Sequence, residues 1–524
     1  MQVIRTQFCI VGAGAAGITT ARSLLALGHE VLLLESGEQD FNSATQDLYA
    51  GVNLGAEYYD LDQARLRFFG GTTNIWGGRS IPLTAVDYEQ RDWVPFSGWP
   101  IGQEDLEPYL RRAHQDLELG AYDYGQTLWD ELREPDPFAN EAAIESWFWR
   151  FDEVKERFGW QAAKQVREHP KLRLLLGTNA LEIEVNENAS QVTGLVVATL
   201  GGQRSRVCAQ HYVLACGGIE NPRLLLASAS VEPAGVGNGT DQVGRYFMEH
   251  PHARLGYAET NRAFELWHAS RKRQSATTVP IAPAFTLSQA QQKSARSLNN
   301  AATFKLQPER TGQLSLDRRL YHKLKHSLSP AKKQRALWHL YRAGRDLYHA
   351  SLRPPVERAK AALGRTRLQA ILRAEQAPNP NSRVLLTAER DALGMARVGL
   401  DWQLTELDKS SARALAQALD ASFKRAGYGA FVTADWLSEP GSTWPVDPSI
   451  GNHPIGGYHH LGTTRMSADA NVGVVDANCT VHNYANLHIA GSSVFPTGGW
   501  ANPTLTILAL CLRLAEHLDR LAQR

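Results

Sequence analysis

The chain is short of every residue pattern that staples, bridges or anchors a protein. Its five cysteines (Cys9, Cys208, Cys216, Cys479, Cys511) are scattered through 524 residues, odd in number and without a CxxC pair. That excludes a disulfide framework and a cysteine-type metal site, so no metal ligands are assigned and the thiols read as free in a reducing compartment. Charge of one sign is also lacking: the net charge is +1, which gives no global field to select nucleic acid. No apolar run reaches the roughly 18 residues of a membrane-spanning helix. An apolar strand pattern begins within a few residues of Met1, where a secretory leader would need a charged and then an apolar region. A cytoplasmic protein is the expectation, with a length sufficient for two domains.

What is present begins with a nucleotide-binding pattern. The short apolar run Phe8 to Val11 enters Gly12-Ala13-Gly14-Ala15-Ala16-Gly17; helix-favouring residues follow to Leu27, and Gly28 stops them. A second apolar run, Val31 to Leu34, ends at Glu35, 23 positions after Gly12. Gly12 permits a tight turn, Gly14 admits a pyrophosphate to the backbone, and Gly17 lets helix and strand approach. The helix start, with Ala15 and Ala16, offers unpaired N–H groups to phosphate, and Glu35 would accept from ribose hydroxyls. A GxGxxG alone is weak, but in this strand–turn–helix–strand–acid order it reads as a dinucleotide site.

Two further segments are dense in glycine. Arg67-Phe68-Phe69-Gly70-Gly71-Thr72-Thr73-Asn74-Ile75-Trp76-Gly77-Gly78-Arg79 cannot form an ordinary helix or strand, and its N–H groups suit a polar ligand. Lys171 to Val185, a stretch holding Ala180 and Leu181, and Val192 to Thr199 read as strands. Tyr212 to Leu214 is a buried strand ending at Gly217-Gly218, and Asn221-Pro222 is expected to open a helix. Gly244 to His250 reads as a loop closing the edge of the domain, with His250 outside the catalytic set. Tyr458-His459-His460-Leu461-Gly462-Thr463-Thr464-Arg465-Met466 precedes a last strand, Asn486 to Gly491. Ser492 then leads through Pro496 and Asn502-Pro503-Thr504 into an amphipathic helix reaching about Leu521, with Asn502 expected as its N-cap and Pro503 at its first position.

At these residues the sequence resembles the glucose–methanol–choline (GMC) oxidoreductases, in particular the branch of pyranose 2-oxidase and related sugar dehydrogenases. The resemblance implies an α/β protein: a Rossmann-like FAD-binding domain (1–110, 170–251 and 451–524) with a discontinuous α+β substrate-binding cap (111–169 and 252–450). It implies FAD as cofactor, contacted by Gly12, Gly14, Ala15, Ala16, Gly17, Glu35, Arg67, Gly71, Thr72, Asn74, Trp76, Gly77, Gly78, Ala180, Leu181, Gly217, Gly491, Ser492, Pro503 and Thr504. His459 matches the family's catalytic histidine and Asn502 its second catalytic position, His or Asn, six residues after Pro496. The implied chemistry is oxidation of a CH–OH group on a sugar, glycoside or polyol: neutral His459 takes the hydroxyl proton and Asn502 orients the oxygen as hydride leaves for flavin N5. Relatives that attach FAD covalently do so through a histidine just before the motif's tryptophan. Ile75 stands there, which implies non-covalent FAD, with Asn74 expected to hydrogen-bond the flavin. The acceptor is O2, a quinone or a carrier protein. A non-redox FAD-dependent lyase and oxidation of a non-sugar or lipid-linked alcohol at a membrane surface are the alternatives.

The remaining stretches are less patterned. Trp147, Phe148, Trp149 and Phe151 read either as core or as an aromatic sugar platform. Val384 to Thr387 and Arg397 to Trp402 are expected as strands of the cap's sheet, and Glu406 to Arg425 as a helix. Residues 318–373 hold fifteen Lys/Arg against two acidic residues. Trp338, Tyr341, Tyr348, Leu337 and Leu340 interleave with those cations, and Pro354-Pro355 divides the segment into two helical parts. A basic helical insertion follows, read either as solvated helices on the cap or as a peripheral membrane contact.

Overall fold

The structure is a computed structural model that describes every residue except 155, 276–278, 309–331, 452 and 524. Phe8–Val11, too apolar for an edge, is the centre of the first sheet: β1 (Gln2–Val11) pairs in parallel with β2 (Val31–Leu34) and β9 (Arg204–Leu214). β6 (Leu172–Leu175) extends it beyond β2. On the other side β9 pairs antiparallel with β8 (Val192–Ala198), which pairs with β7 (Asn179–Val185). β17 (Leu487–Ile489) lies parallel to the end of β9. Residues 1–14, 204–217 and 487–492 therefore deliver their strand ends to one place. The helices Ala15–Ala26 and Thr504–Ala522 pack together beside them in one continuous apolar core.

The second sheet is antiparallel throughout, in the order β16 (Ala430–Thr433), β10 (His252–Glu259), β13 (Thr366–Arg373), β12 (Ala301–Pro308), β11 (Ile281–Leu287), β5 (Ile144–Phe151) and β4 (Arg79–Ser80). The helix Glu406–Arg425 covers it. Ala412, Leu415, Ala416, Leu419 and Phe423 recur at helical spacing and meet Phe285, Phe304 and Leu368 in a separate core. The expected class, a Rossmann-like sheet accompanied by an α+β cap, is thus the observed one.

Three local expectations need correction. Strands β14 (Arg383–Arg390) and β15 (Ala396–Asp401) do not join the cap's sheet. They form a small third sheet with β3 (Gly51–Asn53), because Val384, Val398 and Leu400 bury themselves with Tyr58, Leu61, Ile219 and Phe247 instead. The helix after β9 opens at Gly217, not after Pro222: it spans Gly217–Ala227. Pro222 is tolerated because the Gly218 carbonyl, which an N–H at 222 would have used, accepts from Thr463 Oγ1 at 2.6 Å. The basic insertion is helical only in part. Lys332–Leu347, a π-helical turn at Tyr348–Leu352 and Arg353–Ala362 are helical, 366–373 is a buried sheet strand, and 318–331 lies outside the described residues.

Candidate active site

Strand ends β1, β2 and β9 frame a cavity of about 220 Å³ lined by Gly12, Gly14, Ala15, Ala16, Glu35, Arg67, Gly71, Thr72, Ala180, Gly217, Gly491 and Ser492. The three glycines of the turn do different work. Gly12 has φ +103°, and a Cβ there would meet the Ala215 carbonyl oxygen at 2.6 Å; one at Gly17 would collide with the Gly12 carbonyl. A Cβ at Gly14 meets nothing within 4 Å, and the same holds at Gly217 and Gly491, so these backbones lie open to the cavity. The helix start has no side-chain cap, leaving its N–H groups for an anion. Glu35 accepts from Ala13 N–H (2.8 Å) and Gly37 N–H (2.9 Å), which holds its carboxylate at the cavity wall. Shape, open glycines and donors fit a dinucleotide such as FAD.

The cavity's cations share buried carboxylates, with Arg223 also paired to Asp391 at 2.7 Å. Glu220 bonds Arg65 at 2.8 Å, Arg223 at 3.1 Å and Arg67 at 3.2 Å. Burial alone would raise its carboxyl, but Arg223, Arg65 and Arg67 pull it down to about 2.

A second cavity, about 270 Å³, shares Thr72, Thr73, Gly217, Gly218, His460, Ser492 and Ile507 with the first, so the two are one cleft. It brings together His459 and Asn502, with Ile75, Trp76, Gly77, Pro503 and Thr504 on its lining. Asn502 is not spent as a helix cap: Pro503 takes that place, and the Asn502 amide Nδ2 lies 3.2 Å from His459 Nε2. Asn74 is turned away. Its amide donates to the Phe69 and Gly71 carbonyls (2.9 and 3.0 Å) and it lines neither cavity. Gly17, Gly78 and Leu181 line neither as well; at Gly78 a side chain would strike the Asp152 carbonyl, so that glycine serves packing.

The aromatic run splits by strand alternation. Phe148 is fully buried in the cap core, while Trp149, on the other face, meets Trp500 edge-on at 5.1 Å and both line the cleft.

One residue at the centre of this site has no motif to announce it. His250 Nδ1 lies 2.7 Å from His459 Nδ1, and His250 Nε2 lies 3.3 Å from the Gly498 carbonyl. A carbonyl only accepts, so His250 carries its proton on Nε2 and its Nδ1 is an acceptor. His459 must then donate from Nδ1, which leaves the Nε2 lone pair facing Asn502. Burial, followed by His250, His460, Arg373 and Arg79, holds His459 well below the ordinary histidine range. Burial likewise lowers His250 to about 4, against the Gly498 and Gly499 carbonyls. Both imidazoles are neutral at pH 7.

Glu249 fixes the backbone beneath them. It accepts from the N–H of His250 (2.8 Å), His459 (2.9 Å) and Gly457 (3.0 Å) and from Tyr58 Oη (2.6 Å). The Tyr58 oxygen in turn accepts from His460 Nε2 at 3.0 Å, a structural duty for the second histidine. Tyr458, at φ +61°, makes the turn that aims His459, a strained conformation held by these bonds. Glu249, His250 and His459 approach within 4.8 Å, as metal ligands could, but donors already occupy the carboxylate. The signal available in the sequence was an acid and a histidine set between Met248 and Pro251 in an apolar stretch.

Comparison with known proteins agrees with this construction. Residues 7–235 match the FAD dependent oxidoreductase family model and residues 378–511 the GMC oxidoreductase C-terminal one. The chain is 24% identical over 575 residues to 6'''-hydroxyparomomycin C oxidase of Streptomyces lividus, covering 98% of this chain and 92% of that protein. It is 25% identical over 594 residues to the fructose dehydrogenase large subunit of Gluconobacter japonicus, covering 99% and 98%. A shorter stretch of 81 residues is 35% identical to pyranose 2-oxidase of Lyophyllum shimeji, 16% of this chain and 13% of that one. Pyridoxine 4-oxidase from Mesorbium loti shares the fold, with a TM-score of 0.55 at 17% identity over 98% of this chain and 99% of that one. The glycine-lined cleft, the two matched domains and relatives aligned over nearly the whole length make the chain an FAD-dependent oxidoreductase whose residues 378–511 match the GMC oxidoreductase C-terminal domain.

Proposed function

We propose that the enzyme oxidises a CH–OH group of a sugar, glycoside or related polyol to a carbonyl, with His459 as general base and Asn502 as the oxygen's second partner. The observation that carries this is the unprotonated Nε2 of His459 beside the Asn502 amide, where the catalytic cavity opens into the glycine-lined one. FAD, when bound, supplies the two-electron acceptor for hydride. A substrate hydroxyl that displaces the Asn502 amide from Nε2 gives its proton to that lone pair, and the amide N–H then bonds the developing alkoxide. Trp149 and Trp500 line the cleft with apolar surface suited to the C–H side of a ring. Two of the named relatives, fructose dehydrogenase and pyranose 2-oxidase, are named for sugar substrates, which supports the substrate class. Ile75 on the cleft wall has no nucleophile, which supports non-covalent FAD. Turnover needs an external acceptor: O2, a quinone or a carrier protein.

His459→Ala is expected to slow anaerobic, substrate-driven bleaching of the flavin by about 10²- to 10⁴-fold. Bleaching at the wild-type rate would remove the assigned base, and turnover without any bleaching would favour the non-redox lyase.

No helix among the described residues is long and apolar enough to cross a membrane. The basic helices, however, expose Leu340 (71%), Leu347 (68%) and Leu352 (61%). We infer a peripheral contact with anionic lipid through Lys332–Ala362. Vesicles containing phosphatidylserine should pellet the wild type and leave a Leu340→Ser/Leu347→Ser variant in solution; equal pelleting would sink the contact.

A further inference from the structure

The cavity that holds His459 and Asn502 also carries Arg79 and Arg373. Arg373 ends β13 and is register partner to His252 at the start of β10. Its Nη1 lies 2.5 Å from His252 Nε2, and His252 Nδ1 lies 2.7 Å from the His453 carbonyl. That carbonyl can only accept, so His252 is protonated on Nδ1 and offers Nε2 as a neutral acceptor. The bond orients the guanidinium without cancelling its charge. Among the described residues no Asp or Glu pairs with Arg373, and none lines this cavity. Arg79, on the same lining, lies over the rings of Trp149 (5.4 Å) and Phe151 (5.7 Å), whose π faces attract a cation.

Burial first, and Arg79 second, pulls Arg373 down to about 9. A guanidinium keeps its proton at neutral pH, so this depression records positive charge in a partly desolvated space. The dinucleotide cavity differs, since its Arg65 and Arg67 both pair with Glu220 on the same lining. A cofactor pyrophosphate at the Gly14 turn would lie in that other cavity, leaving Arg373 beside His459 with no carboxylate partner among the described residues.

We propose that the substrate is an anionic sugar or polyol, whose carboxylate or phosphate docks on Arg373 while its carbinol faces His459 and Asn502. Planar guanidinium forks suit either oxyanion. The anion-docking part stands on the cleft's charge, and only the fate of the carbinol rests on the alcohol-oxidation reading.

The test uses holoenzyme bleached with dithionite, which cannot oxidise what it binds. Calorimetric titration with D-glucuronate, D-glucose 6-phosphate and D-glucose should show one or both anions binding about ten- to a hundredfold tighter than glucose. Which anion gains distinguishes a carboxylate from a phosphate ligand. Arg373→Gln should abolish the preference, and Arg373→Lys should restore part of it. Glucose binding as tightly as both anions, or Arg373→Gln weakening all three equally, would overturn the proposal. Anaerobic flavin bleaching with the same three compounds is the separate arm. Tight anion binding without bleaching would count against oxidation of these carbinols and leave the anion site standing.

Discussion

The two halves of the cleft are built on opposite plans. The dinucleotide half is made of backbone: an uncapped helix start, three glycines open to the cavity and arginines that pair with Glu220. The half proposed as catalytic is made of side chains from separate loops, strands and the cap: His250, Arg373, His459 and Asn502, neutral imidazoles beside a guanidinium that no Asp or Glu among the described residues pairs. The first half recognises by shape and peptide donors, so its chemistry is tolerant of side-chain change but intolerant of any added atom. The second works through protonation state and field, so single side chains decide it.

Changes at the turn test the first plan and carry the largest expected effect. Gly17→Val puts a branched side chain against the Gly12 carbonyl, and overpacking of this kind costs about 1–3 kcal/mol or more. That variant should lose FAD and melt earlier. Gly14→Ala meets no protein atom, so it should keep the wild-type melting temperature without FAD yet bind FAD more weakly. Flavin retained through gel filtration, then released by acid precipitation, reads both effects, and acid release from the wild type checks non-covalent attachment. If Gly14→Ala unfolds as Gly17→Val does, the turn is packing alone and the cavity is not a cofactor's.

The same contrast explains what the sequence made readable. Gly12 to Glu35 is legible because turn, helix start and acid are all set by spacing along 24 residues of local structure. His459 and Asn502 were found through resemblance to a family, since nothing in a tandem histidine or an Asn-Pro says that the two will meet. His250 read as an edge loop: its partner is 209 residues away, and the Met248–Leu461 and Pro251–Gly456 pairings of two irregular segments bring them together. Asn74 failed for the reverse reason, since a loop so rich in glycine needs its own amide to tie the Phe69 and Gly71 carbonyls. Arg373 was counted among the cations of a basic helical insertion. The apolar run Leu368, Ala370, Ile371 and Leu372 before it marks instead a buried strand, whose last residue is a charge at a cavity.

His250 gives the smaller and more discriminating test of the catalytic half. If its Nδ1 fixes the His459 tautomer, His250→Phe removes the acceptor and leaves the His459 Nδ1–H unsatisfied, at a cost of about 1–3 kcal/mol. The imidazole can then turn over or rehydrate, so kcat should fall about 5- to 100-fold, while substrate binding to reduced enzyme changes little. His250→Asn, which keeps an acceptor, should recover part of the loss; a merely structural histidine would not show that rescue. The pH profile adds a sign. His459 is held well below 6.5 by burial and then by His250, so the acid limb of kcat/KM in the wild type should lie below pH 6.5. Removing a neighbour that disfavours the imidazolium raises the His459 pKa, so the limb of His250→Phe should move to higher pH. A limb that moves down, or kcat unchanged in the phenylalanine variant, would show that His459 chooses its tautomer without His250.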